Sequence, residues 1–205
     1  MKQFFKNIKT HFSDVAIVVF FIVLILINSS FKIERKEKTI PYFDEKNTDT
    51  LYKPRKKDVL LFYIQLSENH NIIVYDINCN ADKTVIEQDP VHTYWIRYSD
   101  KGEDKELSYF QRHLVYGLDT KLIDKEKQTY VVKFVSYKKK KIYINRVDKD
   151  AKYNAYTDIQ GKISLLTKIY IQVGPAAFGL PTVKYVELHG KEIATNKPVM
   201  EKIIP

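Results

Sequence analysis

From Leu60 to the C-terminus the chain is a succession of short apolar and aromatic runs, and this pattern most limits what it can fold into. LLFYIQL, NIIVYDIN, VHTYWIRY, YVVKFVSY, IYINRV, ISLLTKIYIQV and VKYVELHG are rich in β-branched and aromatic residues. Most are too short for packed helices, and all suit strands. LLFYIQL and NIIVYDIN flank Ser67-Glu68-Asn69-His70 and predict a hairpin. Pro90 precedes VHTYWIRY as a strand start. Asp100-Lys101-Gly102, Gln160-Gly161 and His189-Gly190 read as turns, with further strands expected near residues 153–159 and 199–204. One helix is expected over residues 105–116, because Leu107, Phe110, Leu114 and Val115 recur at helical spacing and Gly117 supplies a stop. Eight or so closely spaced strands with a single amphipathic helix imply a mainly β fold, an antiparallel barrel or sandwich. Between the two, the one-helix meander leans towards a lipocalin-like barrel.

The N-terminal third reads differently. Val15 to Ile27 is an unbroken run of apolar residues preceded by Lys2, Lys6 and Lys9. As a helix it spans roughly 20 Å, short of the roughly 30 Å hydrocarbon layer. The run therefore suits a signal peptide or, extended to Phe31, an N-terminal membrane anchor. Ile27-Asn28-Ser29 is a poor cleavage site and no cysteine follows to take a lipid. Both readings place the remainder outside the cytoplasm, in the cell envelope: anchored to the inner membrane, or periplasmic if cleaved. Residues 32–58, polar and charged with Pro41 and Pro54, read as a spacer. Residues 59–205 form the β-rich domain. The lone Cys79 precludes an intrachain disulfide, so this domain rests on its own core.

The formal charge of +9 invites a nucleic-acid reading. Against it, only Arg35, Arg55, Arg97, Arg112 and Arg146 of the 34 basic residues are arginine. Selection for phosphate contacts would favour arginine's planar donors. Lys138–Lys141 lies between two apolar runs and reads as a solvated hairpin tip.

Few residues carry chemistry. In TYWIRY, strand alternation puts Thr93, Trp95 and Arg97 on one face and Tyr94, Ile96 and Tyr98 on the other. The only tryptophan then lies beside one of the few arginines. On the expected helix Tyr109, Arg112, His113 and Tyr116 lie three or four apart and can meet. Arg97 and Arg112 could converge on a carboxylate or phosphate. Equally, each could stack on tyrosine or pair with an acid such as Asp76 or Glu106. Trp95, Arg97, Tyr109, Arg112, His113 and Tyr116 are thus the candidate ligand-binding residues. The five histidines are scattered without metal-ligand spacing, and Asn78, Asn80, Asp82 and Asp89 do not match a calcium loop. No metal or cofactor is expected. There is no nucleophile elbow or phosphate-binding glycine loop, and Ser108 near His113 lacks an orienting acid. Gly174 to Val183, GPAAFGLPTV, holds Phe178 and Leu180 between prolines and reads as a plug over the end of the core.

LFYIQ, NIIVYDIN, PVHTYWIRY, ELSYFQRHLVYG and FGLPTVKYVELHG, in this order, resemble a bacterial exported domain family classed only as a domain of unknown function. The resemblance runs from about Leu60 to Ile203. It implies one envelope-associated β-rich domain behind a signal segment, and no activity or catalytic residue. Three functions follow in order of expectation. The first is a non-enzymatic envelope domain binding a small or lipid-like anionic ligand. The second is a module that docks another envelope protein through a tyrosine-rich face or edge. The third is an enzyme of unknown reaction. A buried cavity containing Arg97 favours the first, and a filled core with an exposed aromatic patch favours the second.

Overall fold

The computed structural model describes residues 54, 58–67, 69–147, 152–174 and 182–205. The apolar run Val15 to Ile27, all of residues 32–53 and the centre of the Gly174 to Val183 loop lie outside them. Among the described residues no helix is long and apolar enough to cross a membrane.

Among the described residues eleven strands follow one another: β1 Leu60–Leu66, β2 Asn69–Ile77, β3 Val91–Arg97, β4 Glu103–Glu106, β5 Leu118–Asp124, β6 Thr129–Phe134, β7 Tyr137–Arg146, β8 Tyr153–Ile159, β9 Lys162–Gly174, β10 Thr182–Glu192 and β11 Pro198–Ile203. The chain is mainly β, as its β-branched and aromatic runs require. The strands build one curled sheet, a half-barrel, in the order β4-β3-β2-β1-β9-β8-β7-β6-β5, with β10 on β9 and β11 on β10. A closed barrel would join the ends of this path, and β4 is not paired with β5. The ladders are antiparallel except β1–β9, which is parallel.

The curl has a local origin in β9. One edge of β9 is covered by β10 from Ser164 to Gly174. The opposite edge takes β8 along Lys162 to Leu165 and β1 along Lys168 to Ile171. Between these partners the β9–β10 register shifts, leaving Thr167 as an extra residue opposite the step from His189 to Gly190. A bulge of this kind bends a strand and increases its twist. Thr167 Oγ1 donates to the His189 carbonyl at 3.0 Å. A Cβ at Gly190 would lie 2.4 Å from the Leu165 carbonyl oxygen, so only glycine allows the strands to approach here. The sheet thus forks into a β1–β4 half and a β5–β8 half on one β9–β10–β11 spine.

The core fills the space between the halves. Phe62 of β1 stacks on Tyr75 of β2 at 4.5 Å, and Phe134 of β6 meets both edge-on, at 6.2 and 5.7 Å. Val132, Ile144, Ile159 and Leu166 are fully enclosed beside them. Edge-to-face rings in such a cluster add about 0.5–1.5 kcal/mol per pair beyond their buried area.

Three local expectations are corrected. The helix expected over residues 105–116 is shortened at its start. Glu103–Glu106 instead extends the sheet edge as β4, and the helical part is confined to residues 109–115, π-helical over Gln111–Val115. Phe110 and Leu114 of its supposed apolar stripe are exposed. His189-Gly190 lies inside β10, and the turn to β11 comes after Glu192. Lys138–Lys141 begins β7 instead of capping a hairpin. Lys138 pairs with Asp119 at 3.0 Å and Lys140 with Glu201 at 3.0 Å.

Candidate functional site

The six residues singled out in the sequence occupy three places. Trp95 and Tyr116 meet in the core, ring centroids 5.4 Å apart and nearly perpendicular. Arg97 is on the same face of β3 but turns to Asp100 in the following 3-10 turn, with an ion pair of 2.7 Å. Tyr109, Arg112 and His113 sit on or beside the π-helical turn at the surface.

This turn is held from below. Trp95 Nε1–H donates to Gln111 Oε1 at 3.4 Å, and the same oxygen accepts the Ser108 N–H at 3.0 Å. Two carbonyls at its end, which a short helix would leave orphaned, are satisfied from β2 and from the turn between β6 and β7. Tyr75 Oη donates to the Tyr116 carbonyl at 2.8 Å, and Ser136 Oγ to that of Val115 at 2.7 Å. Val135 N–H reaches the Gly117 carbonyl at 3.0 Å. Burial pushes the Tyr75 and Tyr116 hydroxyls well above the usual tyrosine range, so both stay protonated.

Above these anchors the turn presents apolar surface. Tyr109 is 71% exposed, Phe110 55% and Leu114 39%. His113 stacks on Tyr109 at 4.1 Å and its Nδ1–H donates to the Tyr109 carbonyl at 2.9 Å. Phe110 meets Tyr109 edge-on at 5.9 Å. The three rings therefore hold one another in place while facing water.

Beside them runs a polar chain. Arg112 binds Glu106 Oε2 at 3.0 Å, and His92 Nε2–H donates to Glu106 Oε1 at 2.7 Å. His92 stacks on Tyr94 at 4.9 Å, and Tyr94 Oη donates to the buried Asp76 at 2.9 Å. Burial first, then the Asp76 charge, raises the Tyr94 hydroxyl's pKa. Arg112 thus pairs with an acid, one of the two alternatives its position allowed. His92, Glu106 and Gln111 belong to the site but were not among the candidates. Their signal was weak, since Glu106 and His92 are brought together only by the β3–β4 register.

Among the described residues no three His, Cys, Asp or Glu side chains gather as metal ligands. A cavity of about 310 Å³ opens at the β9–β10 bulge, lined by Thr167, His189, Lys191 and Met200 among others. None of the six candidates lines it. What the π-helical corner offers chemically is contact, namely rigid rings, an apolar neighbour and a tethered guanidinium.

Nothing matches the chain among curated proteins or among solved structures. A family model matches residues 62–202, from within β1 to within β11, so its span includes the fork, the core and the π-helical corner. The chain belongs to the family described as Domain of unknown function (DUF4833).

Proposed function

We propose that this domain is a non-enzymatic interaction module of the cell envelope, docking another envelope protein through the π-helical corner. The observation that carries this reading is the exposed Tyr109–Phe110–His113 ring set, with Leu114, on a turn fixed to the core. Aromatic residues are enriched at protein–protein contacts, and pre-ordered ones lose little entropy on binding. Residues 59–205 would be the docking unit. Residues 1–31 would hold it at the membrane or direct its export, and residues 32–58 would join the two. An anionic ligand bound at Arg97 has less support, because Arg97 is paired with Asp100 and the neighbouring core is filled by Trp95, Tyr116 and their contacts.

Site-specific photocrosslinking of the full chain in its native envelope tests the proposal. A benzophenone side chain at Phe110 or Leu114 should join the domain to one discrete partner protein. The same group at the exposed Ile123 of β5 should not. Tyr109→Ser should abolish the adduct while leaving the melting midpoint within about 2 °C, since surface changes are usually within about 0.5 kcal/mol. Equal labelling from Ile123, or an adduct that survives Tyr109→Ser, would overturn it.

A further inference from the structure

The outer face of the β5–β8 half carries cations that no acid of that face matches. Strand alternation fixes which side chains point there. Tyr130, Val132 and Phe134 of β6 and Ile142 and Ile144 of β7 are buried in the core, which turns Val131, Lys133, Lys141 and Tyr143 outward. Ala155 and Thr157 of β8 are buried likewise and leave Tyr156 outward, and Leu122 packs on the core and leaves Lys121 outward on β5. Register then lines up Lys121, Val131, Tyr143, Tyr156 and Leu165 in one row across five strands. At about 4.8 Å between strands, the row is about 19 Å long. Lys133 and Lys141 are the next outward positions on β6 and β7. Ile123 and Ile163, 50% and 56% exposed, stand near the two ends of the row.

The charges on this face do not cancel. Asp119 lies opposite Lys133 but is held by Lys138 at 3.0 Å. Asp158, outward on β8, accepts the Gly161 N–H at 3.0 Å and is approached by Lys140 at 3.9 Å. Among the described residues, Lys121, Lys133 and Lys141 are in no ion pair, whereas Lys140 and Lys162 elsewhere are matched by Glu201 and Glu192. Free ammonium groups beside a band of tyrosine and aliphatic side chains complement the headgroup layer of an anionic bilayer. Lysine answers the phosphates, aliphatic groups suit the acyl boundary, and tyrosine has an apolar ring with a polar tip for the level between.

We propose that the outer face of β5–β8 rests on an anionic phospholipid surface, with Lys121, Lys133 and Lys141 against headgroup phosphates and Tyr143 among them. Nucleic acid is the rival polyanion, and the face suits it less. Arg146, the one arginine of β5–β8, bonds Gln128, so the face has no planar fork of donors to offer. Ile123, Val131, Ile163 and Leu165 give bases nothing to stack on. The face is also the outside of a half-barrel, hence convex, a shape that a fluid lipid surface follows and a rigid duplex does not. It shares no residue with the π-helical corner, so this inference stands apart from the docking reading.

The test reconstitutes the full chain, with a benzophenone side chain at Tyr143, into vesicles of phosphatidylglycerol and phosphatidylcholine or of phosphatidylcholine alone. Irradiation should give lipid adducts at least about fivefold more abundant in the anionic vesicles, since each lysine near such a surface is worth about fivefold in binding. The same group at Phe110 should give few in either. K121Q, K133Q and K141Q together should bring the Tyr143 yield down to the phosphatidylcholine level, while the three arginine replacements keep it. Both triple variants should melt within about 2 °C of the parent. Equal yields in the two vesicles, equal labelling from Phe110, or adducts that survive the glutamine variant would overturn the proposal. So would transfer of the adduct from lipid to added single-stranded RNA, which would mark a nucleic-acid face. The docking reading is judged by the protein adduct from Phe110 and this one by the lipid adduct from Tyr143, so either can fail alone.

Discussion

Tyr75 joins three parts of the molecule through one side chain. Its ring stacks on Phe62 and meets Phe134 from the other half-sheet, and its hydroxyl holds the Tyr116 carbonyl under the π-helical turn. Burial raises the folded-state pKa of Tyr75 and of Tyr116 above the value of about 10 that each has in the unfolded chain. Below about pH 10 both states hold these protons, and the contribution of burial to stability is fully present. Above it the unfolded chain releases protons that the folded chain keeps, so stability falls by about 1.4 kcal/mol per pH unit for each tyrosine. Denaturation midpoints followed between about pH 8 and about pH 11 should be flat with respect to these groups and then drop steeply. Tyr75→Phe should lessen the alkaline slope by about one proton, while lowering neutral-pH stability by about 1–3 kcal/mol through the orphaned Tyr116 carbonyl. A slope identical to that of the parent would mean that Tyr75 ionises without unfolding.

At the scale of elements the π-helical turn is where local pattern and tertiary demand part company. Leu107, Phe110, Leu114 and Val115 have helical spacing, yet β4 claims Glu103–Glu106 by pairing with β3. Only ten residues, 107–116, then remain to return Val115 and Tyr116 to the core. A wide turn does this, with Arg112 N–H on the Ser108 carbonyl and Tyr116 N–H on that of Gln111. Its closure requires Gly117, where a Cβ would lie 1.7 Å from the Arg112 carbonyl oxygen. Gly117→Ala should therefore cost about 3 kcal/mol or more and displace the aromatic corner. Gly161→Ala, at φ +77° with open space around it, should cost only about 1 kcal/mol. Calorimetry of the two variants makes the comparison, and equal costs would refute the crowding argument. Strands β1, β3, β8 and β9 are legible to within a residue or two because their apolar, β-branched and aromatic residues agree with their burial. β4 and β5 are not, since EDKE and LDTKLID carry charge and turn-like residues and become strands only through their neighbours. For the same reason Trp95 and Tyr116 were foreseeable as neighbours of a site, whereas His92 and Glu106 were not.

At the scale of the whole molecule, the fork at Thr167 decides whether the domain behaves as one unit. No short-range pattern announces it. ISLLTKIYIQV reads as an ordinary strand, and the change of partner from β8 to β1 depends on residues a hundred positions apart. Once formed, the spine couples the halves twice, through the shared β9–β10 ladder and through Phe134 against Phe62 and Tyr75. Neither half can keep its inner face dry alone, so the two should unfold together. Trp95 emission reports the β1–β4 half, because the chain's only tryptophan is buried there. Tyr130 and Tyr153 belong to the β5–β8 half and are also buried. Placing a fluorotyrosine label at Tyr153 makes that half visible by fluorine NMR. Denaturant curves from the two probes should coincide. Gly190→Ala should shift both by the same amount, about 2 kcal/mol, because the added Cβ meets backbone at 2.4 Å and the Ile159 side chain at 2.7 Å at the point both halves share. If the Trp95 curve moved and the label at Tyr153 did not, the fork would be a junction between two independent sheets, and a docking event at the π-helical corner would leave the β5–β8 half untouched.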